Sequence, residues 1–368
     1  MRKTTVGIIT MHKVLNFGSA LQSYALLQKL NNIGVNGTII DYQFPTPPKV
    51  TLKSVLRNFI KEIYTGFSNK KKRDRFKHFY KKYYNLTPQC YHSPQELSDA
   101  NLNFNVFVAG SDQIWNPINI NDDVSFFLSF APQNAKKISY SSSFATDTIP
   151  DKFKDLYAKY LKQFAAISVR EQSGVSVVKE LIRENASVVC DPTLLLDKTD
   201  YLKLISDSIY NKNNESFILA YILKYAYDPY PYVNDILNKV QQKLNNMKII
   251  FLDRPKTTGN LKNFEIIDDA GPLEFISLIS QAKFVVTTSF HGTAFCLNLE
   301  TPFISVIKDR GGSDSRMSSL LQMVGADDRM IEYNSKDDFE LSCDFIKIRE
   351  NINKFREESA EYLRKAIF

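Results

Sequence analysis

The stretch FVVTTSFHGTAFCLNLETPFISV, from Phe284 to Val306, decides the fold. An apolar run of the buried type ends in small hydroxylated residues, and a helix start and a second apolar run follow it. This order predicts a strand, a loop, a helix and another strand. In an open α/β sheet, ligands bind at the carboxyl ends of strands, where the N–H groups that begin the next helix attract anions. The segment therefore predicts an anion-binding loop.

His291 lies in this loop, at the place where a ligand would bind. It is one of four histidines in the chain, and an imidazole gains or loses its charge near physiological pH. The spacing alone leaves two interpretations open. Either the imidazole contacts a ligand, or it caps or supports the following helix.

The composition is that of a globular protein. The chain has 368 residues, 43% of them hydrophobic, and this length accommodates two ordinary domains. Its four cysteines show no metal-binding spacing, so we expect reduced thiols and no metal. The first apolar run is too short for a signal peptide, and no stretch has the length that crosses a bilayer. We therefore expect a cytoplasmic protein, whose net charge of +7 suits anionic ligands or surfaces.

The first half begins with a βαβ unit. Strand VGIIT is followed by a loop that carries Asn16 and Gly18, by a helix predicted over 20–33, and by strand GTIIDY. A glycine at the first strand-to-helix turn allows the backbone to approach a ligand or the sheet. GxGxxG is absent from this turn, so the sequence does not support a dinucleotide-binding site.

A strongly basic region, predicted to be helical, extends over 53–85 and contains NKKKRDRFKHFYKKYY. Aromatic residues interleave with its cations, so one face is able to pack while the other meets solvent, phosphates or acidic lipid headgroups. We favour a solvated helix face; the alternative is peripheral contact with the inner face of the membrane, through residues Lys70 to Lys82. We expect no nucleic-acid binding, because no recognised module accompanies the region.

A polar cluster follows the apolar strand in FNVFVAGSDQIWNP. It contains the only tryptophan of the chain, and a sugar binds through hydrogen bonds at its edge and an apolar face beneath it. Two interpretations have equal weight: a hydroxyl-binding platform, or a loop whose polar side chains cap backbone while the indole fills the core. The cluster consists of Ser111, Asp112, Gln113, Trp115 and Asn116.

Strands and helices continue to alternate through the second half, which indicates parallel sheets covered by helices on both faces. Two halves of this kind leave a cleft between them. A long polar helix over 344–368 has apolar residues at helical spacing, which suits packing across the two domains.

Seven segments, in the expected order, together resemble the polysaccharide pyruvyl transferase family. They are NFGSALQSYAL, VAGSDQIWNP, ISYSSSFA, SVREQSGV, CDPTLLL, TTSFHGTAF and DSRMSSLLQMVG. The resemblance implies an α/β fold like that of GT-B glycosyltransferases: two Rossmann-like domains with parallel sheets, an active site between them, and a C-terminal helix that crosses back to the first domain. We expect an acceptor-side domain over 1–150, a donor-binding domain over 151–343 and the crossing helix over 344–368.

The resemblance also implies an activity. Characterised members transfer a carboxyvinyl-derived pyruvyl group from phosphoenolpyruvate to sugar hydroxyls of cell-surface polysaccharides such as capsule, usually as a cyclic ketal. We expect no cofactor besides this co-substrate. Two other classes remain open: a GT-B glycosyltransferase that uses a sugar nucleotide, and a non-catalytic carbohydrate-binding or assembly protein.

The resemblance assigns roles residue by residue. Arg170 matches the arginine that the family uses on phosphoenolpyruvate, and a guanidinium grips a carboxylate or phosphate with two parallel hydrogen bonds; an ion pair with Glu171 is the alternative. His291 would contact the departing phosphate or donate a proton. Asp112 or Glu171 would orient or deprotonate the acceptor hydroxyl. Asp191 is a weaker candidate, because an aspartate before proline more often forms a turn.

One cation of the family's donor site is absent here. Characterised members often have Arg-Leu-His where this chain has Ser-Phe-His at residues 289–291. Arg316 or Arg329 is expected to supply the lost charge, and Lys308 and Arg310 are further candidates. Each is alternatively a surface or capping residue, and this alternative is stronger for Arg329. The residues expected at the donor site are Arg170, Ser289, His291, Gly292, Thr293 and Arg316; those expected at the acceptor site are Asn16, Gly18, Ser111, Asp112, Gln113, Trp115 and Asn116.

Overall fold

The structure, a computed structural model, describes residues 3–43, 70–120, 123–206, 215–224, 227–310 and 315–368. The part of the predicted basic helix before residue 70 lies outside the described residues. The strands are β1 (Thr5–Ile9), β2 (Asn36–Ile39), β3 (Val106–Ala109), β4 (Lys136–Ser139), β5 (Ser168–Val169), β6 (Ser187–Val188), β7 (Phe217–Tyr221), β8 (Lys248–Leu252), β9 (Phe264–Ile267), β10 (Phe284–Thr287), β11 (Phe303–Ile307) and β12 (Met330–Glu332).

Helices alternate with these strands along the chain. They are α1 (Phe17–Asn32), α2 (described over 70–83), α3 (Pro94–Asp99), α4 (Pro117–Ile120), α5 (Asp151–Leu161), α6 (Gln172–Ile182), α7 (Lys198–Ile205), α8 (Tyr232–Lys243), α9 (Pro272–Gln281), α10 (Phe290–Leu299), α11 (Ser315–Val324) and α12 (Phe345–Ile367). Short 3-10 turns lie at Val124–Phe127, Pro192–Leu194 and Asp327–Arg329.

The strands form two main sheets, both parallel. The first has the order β2-β1-β3-β4, and the second has the order β12-β11-β10-β7-β8-β9. The alternation of strands and helices predicts this α/β architecture, and the prediction is confirmed. In the first sheet the chain order reverses between β1 and β3, and in the second between β7 and β10. Ligands of open α/β sheets bind at such switch points.

Strand pairing continues the first sheet beyond residue 150. The small parallel pair of β5 and β6 joins it through bridges from Ile138 to Ala166 and from Ser142 to Val169. The domain boundary at residue 150 stays a prediction, and this pairing favours a first unit that extends beyond β6. Arg170, which directly follows β5, would then belong to the first unit.

Helix α1 begins at Phe17, three residues before the predicted start. The side chain of Asn16 accepts a hydrogen bond from the backbone N–H of Ser19 at 3.1 Å, which caps the helix. Gly18 therefore lies in the first helical turn, and its prediction as a loop residue is wrong. The predicted end is correct, because Gly34 has a φ of +83° and terminates the helix.

Aromatic packing joins the two sheets at the start of α1. Phe17 stacks on Phe275 of α9, with ring centroids 4.9 Å apart, and on Phe76 of α2 at 5.5 Å. Phe76, Phe79 and Tyr80 of α2 are buried in the same core. The aromatic face of the basic helix is therefore an interface between the two halves.

Two cations of α2 also face the second half. Lys72 pairs with Asp253 at 2.5 Å, and Arg75 pairs with Asp269 at 3.1 Å. The exposed lysines of this helix are Lys70, Lys71, Lys77, Lys81 and Lys82. Within the described ranges, no helix has the length and apolar content that a membrane span requires.

Helix α12 contacts both halves, as the resemblance implies. The hydroxyl of Tyr362 donates to the backbone oxygen of Ser139 at 3.2 Å, beside the first sheet. Closer to its N-terminus, Arg356 donates to the side-chain oxygen of Asn298 in α10 at 3.0 Å. The C-terminal helix thus crosses back from the second half to the first.

A buried polar cluster fixes the carboxyl ends of β1 and β2. Asp41 lies 3.0 Å from Nε2 of the fully buried His12 and 2.5 Å from Nζ of Lys13. Burial alone would raise the pKa of Asp41, but the hydrogen bonds from His12 and Lys13, together with their charges, lower it to about 2.

We expect Asp41→Asn to lower the free energy of unfolding near neutral pH by about 2 kcal/mol, the usual contribution of hydrogen bonds to a charged group. Because the folded-state pKa of Asp41 lies below its ordinary value of 3.8, its contribution is complete above that value and is lost as the pH falls toward 2. Urea denaturation of the wild type and of Asp41→Asn, at neutral pH and near pH 3, measures this contribution. A difference in unfolding free energy between the two proteins that does not become smaller in acid would contradict the prediction.

Candidate active site

The N-terminus of α10 stands at the switch point of the second sheet. The side chain of Ser289 caps the helix by accepting a hydrogen bond from the N–H of Gly292 at 3.2 Å. A side chain at Gly292 would meet Oγ1 of Thr287 at 2.5 Å, so only glycine fits here. The N–H groups of Phe290 and His291, in the first turn of α10, have no partner within the helix. This helix end is therefore able to attract an anion.

The N-terminus of α1 lies directly against it. A Cβ atom at Gly18 would fall 2.0 Å from Nδ1 of His291, so the imidazole fills the space that a side chain at Gly18 would take. Two positive helix ends, one from each half of the protein, therefore meet at His291. The sequence predicts that Gly18 lets the backbone approach a ligand or the sheet; the group that approaches is instead the imidazole of His291.

Arg170 enters this region from the end of β5, and its side chain is 1% exposed. Its Nη1 donates to Oδ2 of Asp191 at 2.9 Å, and its Nη2 lies 3.6 Å from Oδ1 of Asp112. The guanidinium carbon is 4.5 Å from the ring centre of Phe290, which places an aromatic face beneath the charge.

Asp191 connects Arg170 to His291. Its Oδ2 lies 2.9 Å from Nη1 of Arg170 and 3.6 Å from Nε2 of His291, and Oγ of Ser111 donates to it at 3.3 Å. The guanidinium and the imidazole, 121 residues apart in the sequence (291 − 170), thus share one carboxylate oxygen.

Both carboxylates of the site are buried and acidic. Burial alone would raise the pKa of Asp191, but the charges of His291 and Arg170 hold it well below its ordinary value. For Asp112, burial is likewise outweighed by the charges of Arg170 and His291, and the pKa is lowered. Both side chains are therefore ionised at neutral pH.

Three nitrogen atoms of the site are buried without a hydrogen-bond acceptor among the described residues. They are Nε and Nη2 of Arg170 and Nε2 of His291. Unpartnered buried donors are costly, and the usual explanation is a ligand or an ordered water. The arrangement is suited to an anion that enters between the two helix ends.

Several predicted residues lie elsewhere or have other partners. Glu171 is fully buried, and its carboxylate accepts hydrogen bonds from Ser143 and from the backbone of residues 144–145 rather than facing His291. Thr293 is buried, and its hydroxyl is bonded to Ser289 and Ser305 inside the second half. Neither side chain is placed to contact a ligand at Arg170 and His291, which corrects both predictions.

Trp115 is a core residue. Its indole is completely buried, stacks on Phe127 at 5.6 Å and donates to the backbone oxygen of Phe126 at 3.1 Å. It presents no free ring face, so its prediction as a sugar platform is wrong. The amide of Asn116 donates to Gln113 at 3.0 Å, and its side-chain oxygen accepts from the backbone N–H of Ile118 at 3.0 Å, which is the capping role of the alternative interpretation.

The candidates for the missing cation separate clearly. Arg316 is buried at the start of α11, with its guanidinium carbon 6.0 Å from the ring of Phe290, the same ring that Arg170 contacts. Arg310 pairs with Glu332 on the surface. Arg329 donates to backbone oxygens of residues 340 and 342, which is the structural role considered for it. Lys308 is exposed.

Two contributors to the site were undervalued or missed in the sequence. Asp191 is both the predicted turn former and the acceptor shared by Arg170 and His291. Ser19 donates to Oδ2 of Asp112 at 2.5 Å and so links α1 to the loop after β3. A carboxylate directly after the apolar run SVVC was the available signal for Asp191. The described residues contain no cluster of three or more potential metal ligands.

The fold and this site define a class of protein: two parallel α/β units of the GT-B type with the site in the cleft between them. A UDP-GlcNAc 2-epimerase from Methanocaldococcus jannaschii superposes with a TM-score of 0.52 at 12% identity, covering 97% of this chain and 92% of that one. A putative UDP-N-acetylglucosamine 2-epimerase from Listeria monocytogenes gives 0.51 at 8% identity, covering 99% and 91%. At these identities the similarity establishes the fold alone.

The sequence profile of the family described as polysaccharide pyruvyl transferase matches residues 16–309. The chain belongs to this family, as its motifs predict, and it is therefore a transferase. The family implies a saccharide acceptor. No curated protein matches the chain in sequence.

We expect Gly18→Ala to destabilise the protein by about 1–3 kcal/mol, the usual cost of overpacking, because the new methyl group collides with His291. In a His291→Gly background the same change should be neutral or stabilising, since alanine is favoured over glycine in helices. Chemical denaturation of the four proteins measures the coupling, and additive effects would show that the two residues do not meet.

Proposed function

We propose that this transferase moves a pyruvyl group from phosphoenolpyruvate to hydroxyls of a sugar in a cell-surface polysaccharide and forms a pyruvate ketal. One observation carries the proposal: the side-on fork of the buried Arg170, made by Nε and Nη2, has no acceptor among the described residues. Nη1 is hydrogen-bonded to Asp191, and Nη2 lies 3.6 Å from Oδ1 of Asp112, so the fork is the part of the guanidinium that has no hydrogen bond to a described residue and is able to donate to a ligand. It matches a carboxylate or a phosphate in geometry and charge.

The two helix ends support binding of the second anionic group of the donor. The N–H groups of residues 290–291 and the positive end of α1 meet beside His291. Arg316 adds fixed positive charge on the other side of Phe290 and takes the place of the arginine that is absent at residue 289. The donor would thus be held by Arg170, His291 and Arg316.

The reaction begins with protonation of the methylene carbon of phosphoenolpyruvate, for which His291 is the nearest suitable group. Positive charge then develops on the adjacent carbon. A sugar hydroxyl attacks that carbon, and its proton replaces the one that His291 gave to the methylene carbon of the donor. The bond from the carbon to the phosphate oxygen then breaks, and a second hydroxyl attacks the same carbon, closes the ketal and gives its proton to the departing phosphate. The products are the ketal and inorganic phosphate.

Asp112 has a role at the positive intermediate. Its carboxylate is ionised and buried beside Arg170, so it is placed to stabilise a developing cation and to orient the attacking hydroxyl. Buried carboxylates in the site repel an anionic donor in its ground state. Their presence is explained if they stabilise the positive intermediate. Glu171 has no part in this step.

We expect Arg170→Ala and His291→Ala each to reduce phosphate release from phosphoenolpyruvate by at least about 100-fold, with a polysaccharide-type sugar acceptor present. Arg170→Lys should lose nearly as much, because lysine keeps the charge but has no fork. Arg364→Ala, which removes an exposed arginine of α12, is the matched control and should behave as wild type.

Ligand-binding measurements, together with this assay, separate the competing functions. Stabilisation by nucleotide sugars but not by phosphoenolpyruvate in a thermal-shift experiment would favour a glycosyltransferase. Saccharide binding that is independent of any donor and unaffected by His291→Ala would favour a binding protein. Phosphate release that survives both the Arg170 and His291 substitutions would eliminate their proposed roles.

We also propose that the enzyme works in the cytoplasm at the inner face of the membrane, close to lipid-linked acceptors. The exposed lysines of α2 support this, because the rest of that helix is committed to the interface between the halves. The contact would be electrostatic and peripheral, without insertion of the buried aromatic residues.

Replacement of Lys70, Lys77 and Lys81 by glutamate should weaken association with acidic liposomes by about 100-fold, at about 1 kcal/mol for each lysine near the surface. The control is the same replacement at three exposed lysines of α12, Lys347, Lys354 and Lys365. Equal binding by both triple variants, measured by liposome sedimentation at low salt, would contradict a specific contact through α2.

A further inference from the structure

Asp191 is fixed from several directions. Its Oδ1 accepts hydrogen bonds from the N–H of Thr193 at 3.0 Å and from the hydroxyl of Thr193 at 2.7 Å, which caps the 3-10 turn Pro192–Leu194. This leaves Oδ2 for other segments: it accepts a hydrogen bond from Nη1 of Arg170 after β5, and Oγ of Ser111 after β3 and Nε2 of His291 at the start of α10 lie 3.3 Å and 3.6 Å from it. One carboxylate oxygen therefore joins three segments that come from both sides of the cleft.

The turn that carries Asp191 is itself anchored to two helices. The amide of Asn298 in α10 donates to the backbone oxygen of Thr193 at 3.0 Å. Arg356 of α12 donates to the backbone oxygen of Leu194 at 2.6 Å and to the side-chain oxygen of Asn298 at 3.0 Å. The carboxylate thus has a fixed position that does not depend on a ligand.

We propose that Asp191 is a positioning residue for the donor site, and this inference rests on the proposed function. By holding Nη1 of Arg170, it turns the Nε and Nη2 fork toward the cleft. By facing Nε2 of His291, it sets the orientation of the imidazole against Gly18. Asp191 itself does not contact the donor; it acts through the two cations that do.

The requirement is for a carboxylate rather than for any polar group. Arg170 is fully buried, and a buried charge persists only with a counter-charge close to it. An asparagine at this position would keep its oxygen toward the two donors of Thr193, which directs its NH₂ group at Nη1 of Arg170. Two donors would then face each other, and the guanidinium would move.

Asp191→Asn is therefore the test, because it preserves the shape of the side chain and the cap of the turn. We expect the KM for phosphoenolpyruvate to rise and kcat to fall, with a loss of about 100-fold in kcat/KM, the size of effect that follows from misplaced catalytic groups. A crystal structure of the variant should show Nη1 of Arg170 beyond hydrogen-bond distance of residue 191. The matched control is Asp197→Asn, the same change at the cap of α7, where asparagine caps equally well.

A second variant covers the case in which Asp191→Asn does not fold. Thr193→Val removes the hydroxyl that holds Oδ1 but keeps the charge beside Arg170, and we expect it to fold and to lose about 10-fold in kcat/KM. Wild-type kinetics in either folded variant, or an unmoved Arg170 in the structure of Asp191→Asn, would overturn the inference. If wild-type protein releases no phosphate from phosphoenolpyruvate, the proposed function fails, while the crystal structure still decides whether Asp191 positions Arg170.

Discussion

The buried ion pair between Arg170 and Asp191 is the constraint on which the rest of the site depends. A guanidinium that is 1% exposed requires a counter-charge at hydrogen-bond distance, and Asp191 supplies it at 2.9 Å. This requirement fixes where the turn after β6 must lie relative to β5. It also fixes α10, because His291 faces the same oxygen. The geometry of the cleft is therefore set by charge neutralisation as much as by the aromatic packing around Phe17.

The buried charges of the site also affect how the two helix ends approach each other. The N-termini of α1 and α10 carry partial positive charge and meet at Gly18 and His291, an approach that is unfavourable unless negative charge lies nearby. Asp112 and Asp191 supply this charge, because both carboxyl groups are ionised at neutral pH. The two carboxylates therefore offset the helix ends and the guanidinium of Arg170 within one buried cluster.

The sequence predicts the local features well and the tertiary ones poorly. Periodicity is local, so the parallel sheets and the strand–helix–strand order around His291 are predicted correctly. The predicted loop at His291 is wrong, because the cap at Ser289 starts α10 at Phe290 and places His291 in its first turn. Whether Trp115 forms a platform or a core depends on Phe127 and Phe144, which the fold brings against it. Asp191 forms a turn, as the proline after it indicates, but its contacts with distant cations are not encoded locally. The start of α1 depends on one capping hydrogen bond, which composition does not reveal.

This chain has Ser-Phe-His at residues 289–291, where members of the family often have Arg-Leu-His, and the contacts of these residues give the difference a structural reason. Ser289 is used to cap α10, so an arginine is not needed there for the helix to begin. Phe290, in place of leucine, offers its ring to Arg170 at 4.5 Å and to Arg316 at 6.0 Å. An aromatic face stabilises cations that an aliphatic side chain would leave without a partner surface. Phe290 thus contacts one cation from the end of β5 and one from the start of α11, while Ser289 caps the helix that carries the ring. The cap sets where α10 begins, and this start fixes the ring between the two guanidinium groups.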